Sequence, residues 1–289
     1  MPSTWEHASL SPRQRVRLGE LYPEAVLVTD HSWPFGITVL EFHAGQAHLL
    51  LKASGTPHHL EPEYRAHARW LGPLTGDVPT LVAYDRAAGL LVKTFLPGRL
   101  VLGSPAERDP GVFRRAGTLL GRLHRGLAPV RAPHYQESMV RKTRSWLGRA
   151  EGLAPAEQLQ TAGHWLEEFR PSPVDLVPTH GDYQPRNWLL RPDGRLAVID
   201  FGGAELRPWY ADFARMEHGD FAARPALQVA FMEGYGPAPP RDDGPAEDAG
   251  RRLDVLMQSL GTIVWSHDMG DAAFEEHGRT MLTRTLSGR

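Results

Sequence analysis

"HGDYQPRNWLLRPDGRLAVIDFGG", residues 180–203, decides how the rest of the chain is read. Two apolar runs, "NWLL" and "RLAVIDF", are separated by "RPDG", whose proline, aspartate and glycine favour a tight turn, so the stretch predicts a β-hairpin. His180-Gly181-Asp182 stands just before it. Asn187 follows Asp182 by five residues, and Asp200 follows Asn187 by thirteen. An amide oxygen and a carboxylate oxygen meeting at the mouth of a hairpin suit a hard divalent cation such as Mg²⁺. A further carboxylate, Asp182, can orient a hydroxyl. A second His-Gly-Asp, at residues 218–220, has Pro225 five residues after its aspartate and no Asp-Phe-Gly behind it; it reads as a helix end or loop.

Outward from the hairpin, the first hundred residues read as mostly β. Runs at 24–28, 37–42, 47–52, 80–85 and 89–98 have strand character, and 60–72 reads as a short helix with proline in its first turn. That is a small sheet carrying one helix. Past Pro97-Gly98 the pattern changes. Asp109-Pro110 is an N-cap followed by proline at the first helical position, and Phe113, Ala116, Leu120, Leu123 and Leu127 recur at helical spacing. Residues 136–150 and 155–169 read as two more helices, ended by a proline-rich stretch at 171–178. The hairpin is isolated in this second half, which is otherwise helical apart from a loop at 236–248. The expected class is α+β, with a small β-rich lobe over residues 1–96 and a larger helical lobe over 97–289.

The 289 residues are 41% apolar and 23% charged, an ordinary globular balance, and the net charge of −2 points to neither a nucleic-acid nor a membrane surface. No apolar run is long enough to span a bilayer, and the N-terminal ten residues lack the features of a secretory signal. Absence of cysteine excludes disulfides, thiolate metal sites and cysteine nucleophiles, and cytoplasm is the expected compartment. Lysine occurs only at positions 52, 93 and 142, so a lysine in a suggestive place carries weight.

"HGDYQPRN" with "DFGG" behind it resembles the catalytic loop and metal motif of the protein-kinase-like fold, H-R-D-x-x-x-x-N followed by D-F-G. With glycine in place of that arginine, it is similar to the aminoglycoside phosphotransferase and choline kinase family. "LGRLH" (120–124), the Asp-x-Ala of "DFGGAELRPWYADFAR" (200–215) and "FMEGYG" (231–236) extend the resemblance over essentially the whole chain. It implies a bilobal fold and a phosphoryl transfer in which the protein positions groups and neutralises charge. By resemblance Asn187 and Asp200 hold Mg²⁺ on the phosphates of ATP, and Asp182 accepts a hydrogen bond from the acceptor hydroxyl. Lys52, at the end of "HLLLK", is the phosphate-gripping lysine, held by a helix glutamate. Glu63 is expected in that role, with Glu61 as the alternative; Lys93 is a rival lysine set aside by chain order.

The phosphate-covering loop falls at 29–36, where G-x-G-x-x-G is missing and backbone N–H groups around Ser32 would cap the phosphates. The adenine would meet the backbone of 93–96. His124 and His180 are expected to pack around the catalytic loop, Asp212 to brace it, and His43, His48, His58 and His59 to be surface residues.

Gly181 replaces an arginine that pairs with a phosphorylated loop, and only eleven residues separate Asp200 from Asp212, leaving little room to dock a peptide. A hydroxyl of a small molecule is the expected acceptor: aminoglycosides, other amines or sugars, homoserine-like metabolites and macrolides all stand open. Residues 205–289 hold fourteen Asp/Glu against nine Arg, a net −5 that would attract a cationic amine, with Glu205, Asp268 and Asp271 as candidate pocket carboxylates. The rival reading is a catalytically silent nucleotide-binding module.

Overall fold

The structure, a computed structural model, describes residues 5–32, 37–56, 59–237 and 245–287. Contacts divide the chain into two compact units: Met1–Arg108 with His180–Glu205, and Asp109–Thr179 with Leu206–Arg289. The chain opens with α1 (Pro12–Leu21), β1 (Val26–Asp30), β2 (Ile37–Ala44) and β3 (Ala47–Ser54). Then come α2 (Glu61–Arg69), β4 (Leu81–Asp85), β5 (Leu90–Thr94) and β6 (Arg99–Leu100). The second unit starts with α3 (Pro110–His124), β7 (Val130–Ala132), α4 (Tyr135–Arg149), α5 (Ala156–Glu168) and β8 (Val174–Thr179). The hairpin strands β9 (Trp188–Leu190) and β10 (Leu196–Val198) belong to the first unit, and β11 (Glu205–Arg207) comes after them. The chain ends with α6 (Ala214–His218), α7 (Asp220–Ala223), α8 (Pro225–Tyr235), α9 (Pro245–Met269) and α10 (Ala272–Ser287).

The first unit is built on a five-stranded antiparallel sheet of order β1-β2-β3-β5-β4. Strand alternation splits its residues cleanly. Leu40 and Phe42 of β2, Leu49 and Leu51 of β3, and Leu90 and Val92 of β5 form one core with Leu18 of α1, Leu10 and Trp5. Full burial of each such leucine or phenylalanine contributes about 1.5–3 kcal/mol. The intervening positions, Val39, Glu41, Leu50, Lys52, Leu91 and Lys93, therefore share the opposite face. Helix α1 is an addition to the one helix expected in this region. Ser11 caps it in a capping box with Gln14, and Pro12 occupies the first turn, a local signal that was present in "SPRQ".

The hairpin is not isolated. β9 pairs with β10, Trp188 opposite Val198, and β6 adds a third strand through Arg99 and Leu100. In the second unit, β8 occupies most of the proline-rich stretch and pairs with β7, Leu176 opposite Val130. Pro178 near the end of β8 removes one backbone donor without stopping the strand.

Helices make the rest of the second unit, with Val140, Leu166, Leu256, Leu260, Ile263 and Leu282 in its core. α3 and α8 approach until no side chain fits between them: a Cβ on Gly117 would stand 2.0 Å from the Phe231 carbonyl oxygen, and one on Gly234 1.8 Å from that of Arg114. Beside this contact His124 is fully buried, its Nε2 3.1 Å from Asp212 Oδ2 and its Nδ1 2.9 Å from the Tyr235 hydroxyl. The carboxylate only accepts, so Nε2–H donates to Asp212. Among the described residues no helix is long and apolar enough to cross a membrane.

Candidate active site

Lys52 lies opposite Leu91, and Leu50 opposite Lys93, so the two lysines are diagonal neighbours on the sheet face turned away from α1. α2 supplies the counter-charge there. Glu63, with no exposed surface, accepts from Lys52 Nζ at 2.5 Å through Oε2 and from Lys93 Nζ through Oε1. Lys52 Nζ also donates to Asp200 Oδ1 at 2.7 Å, joining groups 148 residues apart. Glu61 is not the partner; it accepts from the Tyr84 hydroxyl at 2.8 Å.

Burial works against the charge on Lys52, but Asp200 and Glu63 outweigh it and raise its pKa above the ordinary lysine value. Burial also opposes the Glu63 charge, which Lys52 and Lys93 overcome, bringing the carboxyl down to about 2. Lys52 holds Asp200 well below the usual carboxylate range. Burial lowers Lys93, with Glu63 acting the other way. Glu63 is thus shared, and Asp200, 51% exposed at its side chain, is the open end of the cluster.

The hairpin sets Asn187 beside Asp200. Asn187 closes a 3-10 turn, Pro185–Asn187, just before β9, and its carbonyl oxygen accepts from Ile199 N at 3.0 Å, one residue ahead of Asp200. Asp200 has φ 64°, the one non-glycine residue at positive φ among those described, and it accepts from Gly202 N at 3.3 Å. Asparagine and aspartate tolerate that conformation best, and isolated strain of this kind gathers at functional sites.

Upstream, His180 Nε2–H donates to the Ile199 carbonyl oxygen at 2.9 Å, while its Nδ1 accepts from Asp182 N at 3.2 Å. Gly181 has φ 81°, and a Cβ there would meet the Gly203 carbonyl oxygen at 2.0 Å, so glycine is required twice over. Asp182 receives Arg186 through Nε at 3.0 Å and Nη2 at 2.7 Å, Asn187 Nδ2 at 2.8 Å, and Gln184 Nε2 at 2.5 Å. Arg186 and Gln184 were not singled out by sequence reading, although Arg186 stands four residues after Asp182 in a loop too short to carry it far.

Asp200 and Asn187 fit a hard cation. Asn187 turns its Nδ2 toward Asp182, which leaves its Oδ1 as an acceptor, and Asp200 presents a half-exposed carboxylate. Among the described residues no group of three or more His, Asp or Glu forms a ready-made metal cage. Mg²⁺ takes one or two protein oxygens and completes its shell with phosphate and water, so two such donors are enough to hold it.

The phosphate-loop expectation is only partly inside the described residues, since 33–36 lie outside them. Ser32 N donates to Asp30 Oδ1 at 2.8 Å, and Ser32 Oγ accepts from Val39 N at 2.8 Å, so both are engaged within the loop and strand.

His48 is not a bare surface residue: it and His31 each stand 2.7 Å from one oxygen of the buried Glu41, and His48 stacks on Phe95 at 4.2 Å and on His43 at 4.3 Å. The signal was the alternation of 41 and 43 against 48, which puts them on the Lys52 face. His58 lies outside the described residues. Asp268 and Asp271 also have partners of their own: Asp268 pairs with Arg149 at 2.9 Å, and Asp271 caps α10 through Phe274 N at 3.0 Å.

The family model described as "Phosphotransferase enzyme family" matches residues 41–246, well over half the chain and including every residue of the Lys52, Asp182 and Asp200 clusters. The chain belongs to that family. Comparison with curated proteins gives no match. Solved structures share the fold of this phosphotransferase family member at low identity. A ternary complex of a thermostable mutant of aminoglycoside phosphotransferase APH(4)-Ia with ADP and hygromycin B matches with TM-score 0.67 and 14% identity, covering 94% of this chain and 97% of that one. Choline kinase LicA from Streptococcus pneumoniae matches with TM-score 0.65 and 15% identity, over 95% and 98% of the two chains. Macrolide 2'-phosphotransferase MphH from Brachybacterium faecium matches with TM-score 0.59 and 20% identity, over 92% and 96%.

Proposed function

We propose that the chain is an ATP- and Mg²⁺-dependent phosphotransferase that moves the γ-phosphoryl group to a hydroxyl of a small molecule. In this reading residues 1–96 bind the nucleotide, and residues 97–289 carry the catalytic loop, the metal residues and the acceptor pocket. The observation that carries it is Lys52 Nζ set between Glu63 at 2.5 Å and Asp200 at 2.7 Å, in the same compact unit as Asp182 and Asn187.

Lys52 binds the phosphates, oriented by Glu63. Asn187 and Asp200 would hold Mg²⁺, whose chemistry when bound is to neutralise charge on the phosphate oxygens. Asp182 aligns the acceptor hydroxyl and takes up its proton as the new P–O bond forms and the bond to the leaving ADP oxygen breaks. Arg186 and Gln184 fix the Asp182 carboxylate for that task. A phosphate contact from the Ser32 amide would require its bond to Asp30 to open.

The net −5 of residues 205–289 supports a cationic acceptor. The hygromycin B held by the APH(4)-Ia relative supports an aminoglycoside-like one. A silent nucleotide-binding module is the second reading, favoured by one observation: Asp182 Oδ2 already carries three donors. The two separate in one assay. Purified protein with Mg-ATP is screened against a panel of amines, aminosugars, macrolides and hydroxyl metabolites, with ³¹P NMR reading a phosphorylated product. Product from any acceptor supports the enzyme. Nucleotide binding with no product across the panel favours the silent module.

A further inference from the structure

Of the three lysines in the chain, two share Glu63. A single lysine–glutamate pair meets the needs of the proposed site, and Lys93 exceeds them. Its side chain lies on β5 with 1% of the residue exposed, and Glu63 is its one hydrogen-bond partner among the described residues. A buried ammonium carries a desolvation cost that an apolar side chain of similar length avoids. Packing therefore gives no reason for a lysine here. The geometry does, because the two Glu63 oxygens are divided between the two lysines.

We propose that Lys93 is a positioning residue of the nucleotide site, acting through Glu63 on Lys52. This rests on the reading of Lys52 as the phosphate-binding lysine. Lys52 bridges Glu63 and Asp200, and Asp200 would give up that bond if it held a cation. Glu63 is then the one anchor left to Lys52. Lys93, gripping the other oxygen, keeps Glu63 aimed while Lys52 turns to the phosphates.

Titration calorimetry with Mg-ATP on the full chain tests this, together with steady-state kinetics on whichever acceptor turns over. Lys93→Met should weaken Mg-ATP binding about tenfold, and Lys93→Arg should recover most of the loss. The nucleotide KM should rise at least about three times more than kcat falls, because Lys93 touches no reacting atom. In a Glu63→Gln background, Lys93→Met should add less than about twofold, since the group it acts through has lost its charge. Binding by Lys93→Met within about twofold of the unaltered protein overturns the proposal, as does full additivity with Glu63→Gln. If the Met variant does not fold, Lys93→Gln carries the same thresholds. Failure of the unaltered protein to bind Mg-ATP at all is a different result, and it overturns the nucleotide reading itself.

Discussion

His-Gly-Asp occurs twice, at 180–182 and at 218–220, and the two copies adopt unrelated local structures. In the first, His180 is fully buried and hydrogen-bonded through both ring nitrogens, and Gly181 has φ 81°. Asp182 is clasped there by Arg186, Gln184 and Asn187. In the second, Gly219 sits at φ −115° between the short helices α6 and α7, and Asp220 is the first residue of α7. Arg284 Nη1 reaches the His218 carbonyl oxygen, not the ring, at 2.7 Å. The residues C-terminal to each triplet make the difference. Asn187 and a hairpin ending in Asp200 come after the first, while Arg224-Pro225 comes after the second and begins α8. A tripeptide has no chemistry of its own; the asparagine and aspartate that follow it in the chain give it one.

The largest effect expected from this contrast is on transfer. Asp182→Asn should cut turnover by about 10²–10⁴-fold while nucleotide binding persists, as for loss of a positioned proton acceptor. Asp220→Asn should leave turnover within about twofold, because no Asn at +5 and no Asp-Phe-Gly follow it. Kinetics on the two variants with any acceptor that turns over would break the comparison if the order came out reversed.

Next in size is the nucleotide effect of Asp200, which has no counterpart after the second triplet. Saturating Mg-ATP should raise the melting temperature of the unaltered protein, by about 2.7 kcal/mol of linkage at a hundred times Kd. Asp200→Ala should lose most of that shift. An undiminished shift in the variant would move the cation elsewhere.

Backbone differences come third. Gly181→Ala combines a positive φ with a Cβ 2.0 Å from the Gly203 carbonyl oxygen, whereas Gly219→Ala meets the Arg215 carbonyl oxygen at 3.0 Å at an ordinary φ. Denaturant unfolding should show a loss of about 1–3 kcal/mol or more for the first and clearly less for the second.

The smallest effect sharpens the contrast by pH. Burial lowers His218 from 6.5 to about 4 in the folded chain. The unfolded chain therefore binds more protons between those values, so this residue contributes stability above pH 6.5 that is lost as pH falls toward 4. His218→Gln should flatten that part of the stability curve, with melting temperature against pH as the measurement. An unchanged slope would take His218 out of the acid response.

Much of the fold and of the candidate site is legible in the sequence because the signals are local. Asp182, Asn187 and Asp200 are tied by a loop and one hairpin, and turn chemistry at 191–194 shows where the hairpin folds. Asp109 caps α3 as expected, accepting from Gly111 N. Helix α1 was missed although its capping box was local too, because its mean hydropathy is low and few of its residues are buried. β8 is hidden in the sequence because the prolines around Val174, Leu176 and Val177 argue against a strand.

The sequence by itself determined the order and types of the chemical groups: a lysine at the end of an apolar run, a helix with Glu61 and Glu63 in its first turn, and Asp-Asn-Asp at fixed spacing around a turn. Its strand alternation also determined which side chains share a face, since that period is a property of the extended backbone. Only the tertiary structure decided that Glu63 rather than Glu61 turns inward and that Lys93 joins Lys52 on it. The same is true of the bond between Lys52 and Asp200 across 148 residues. Such choices stem from the register of β3 against β5 and from the packing of α2 upon them. Both are fixed by contacts between distant segments, whose energies no local stretch of chain contains.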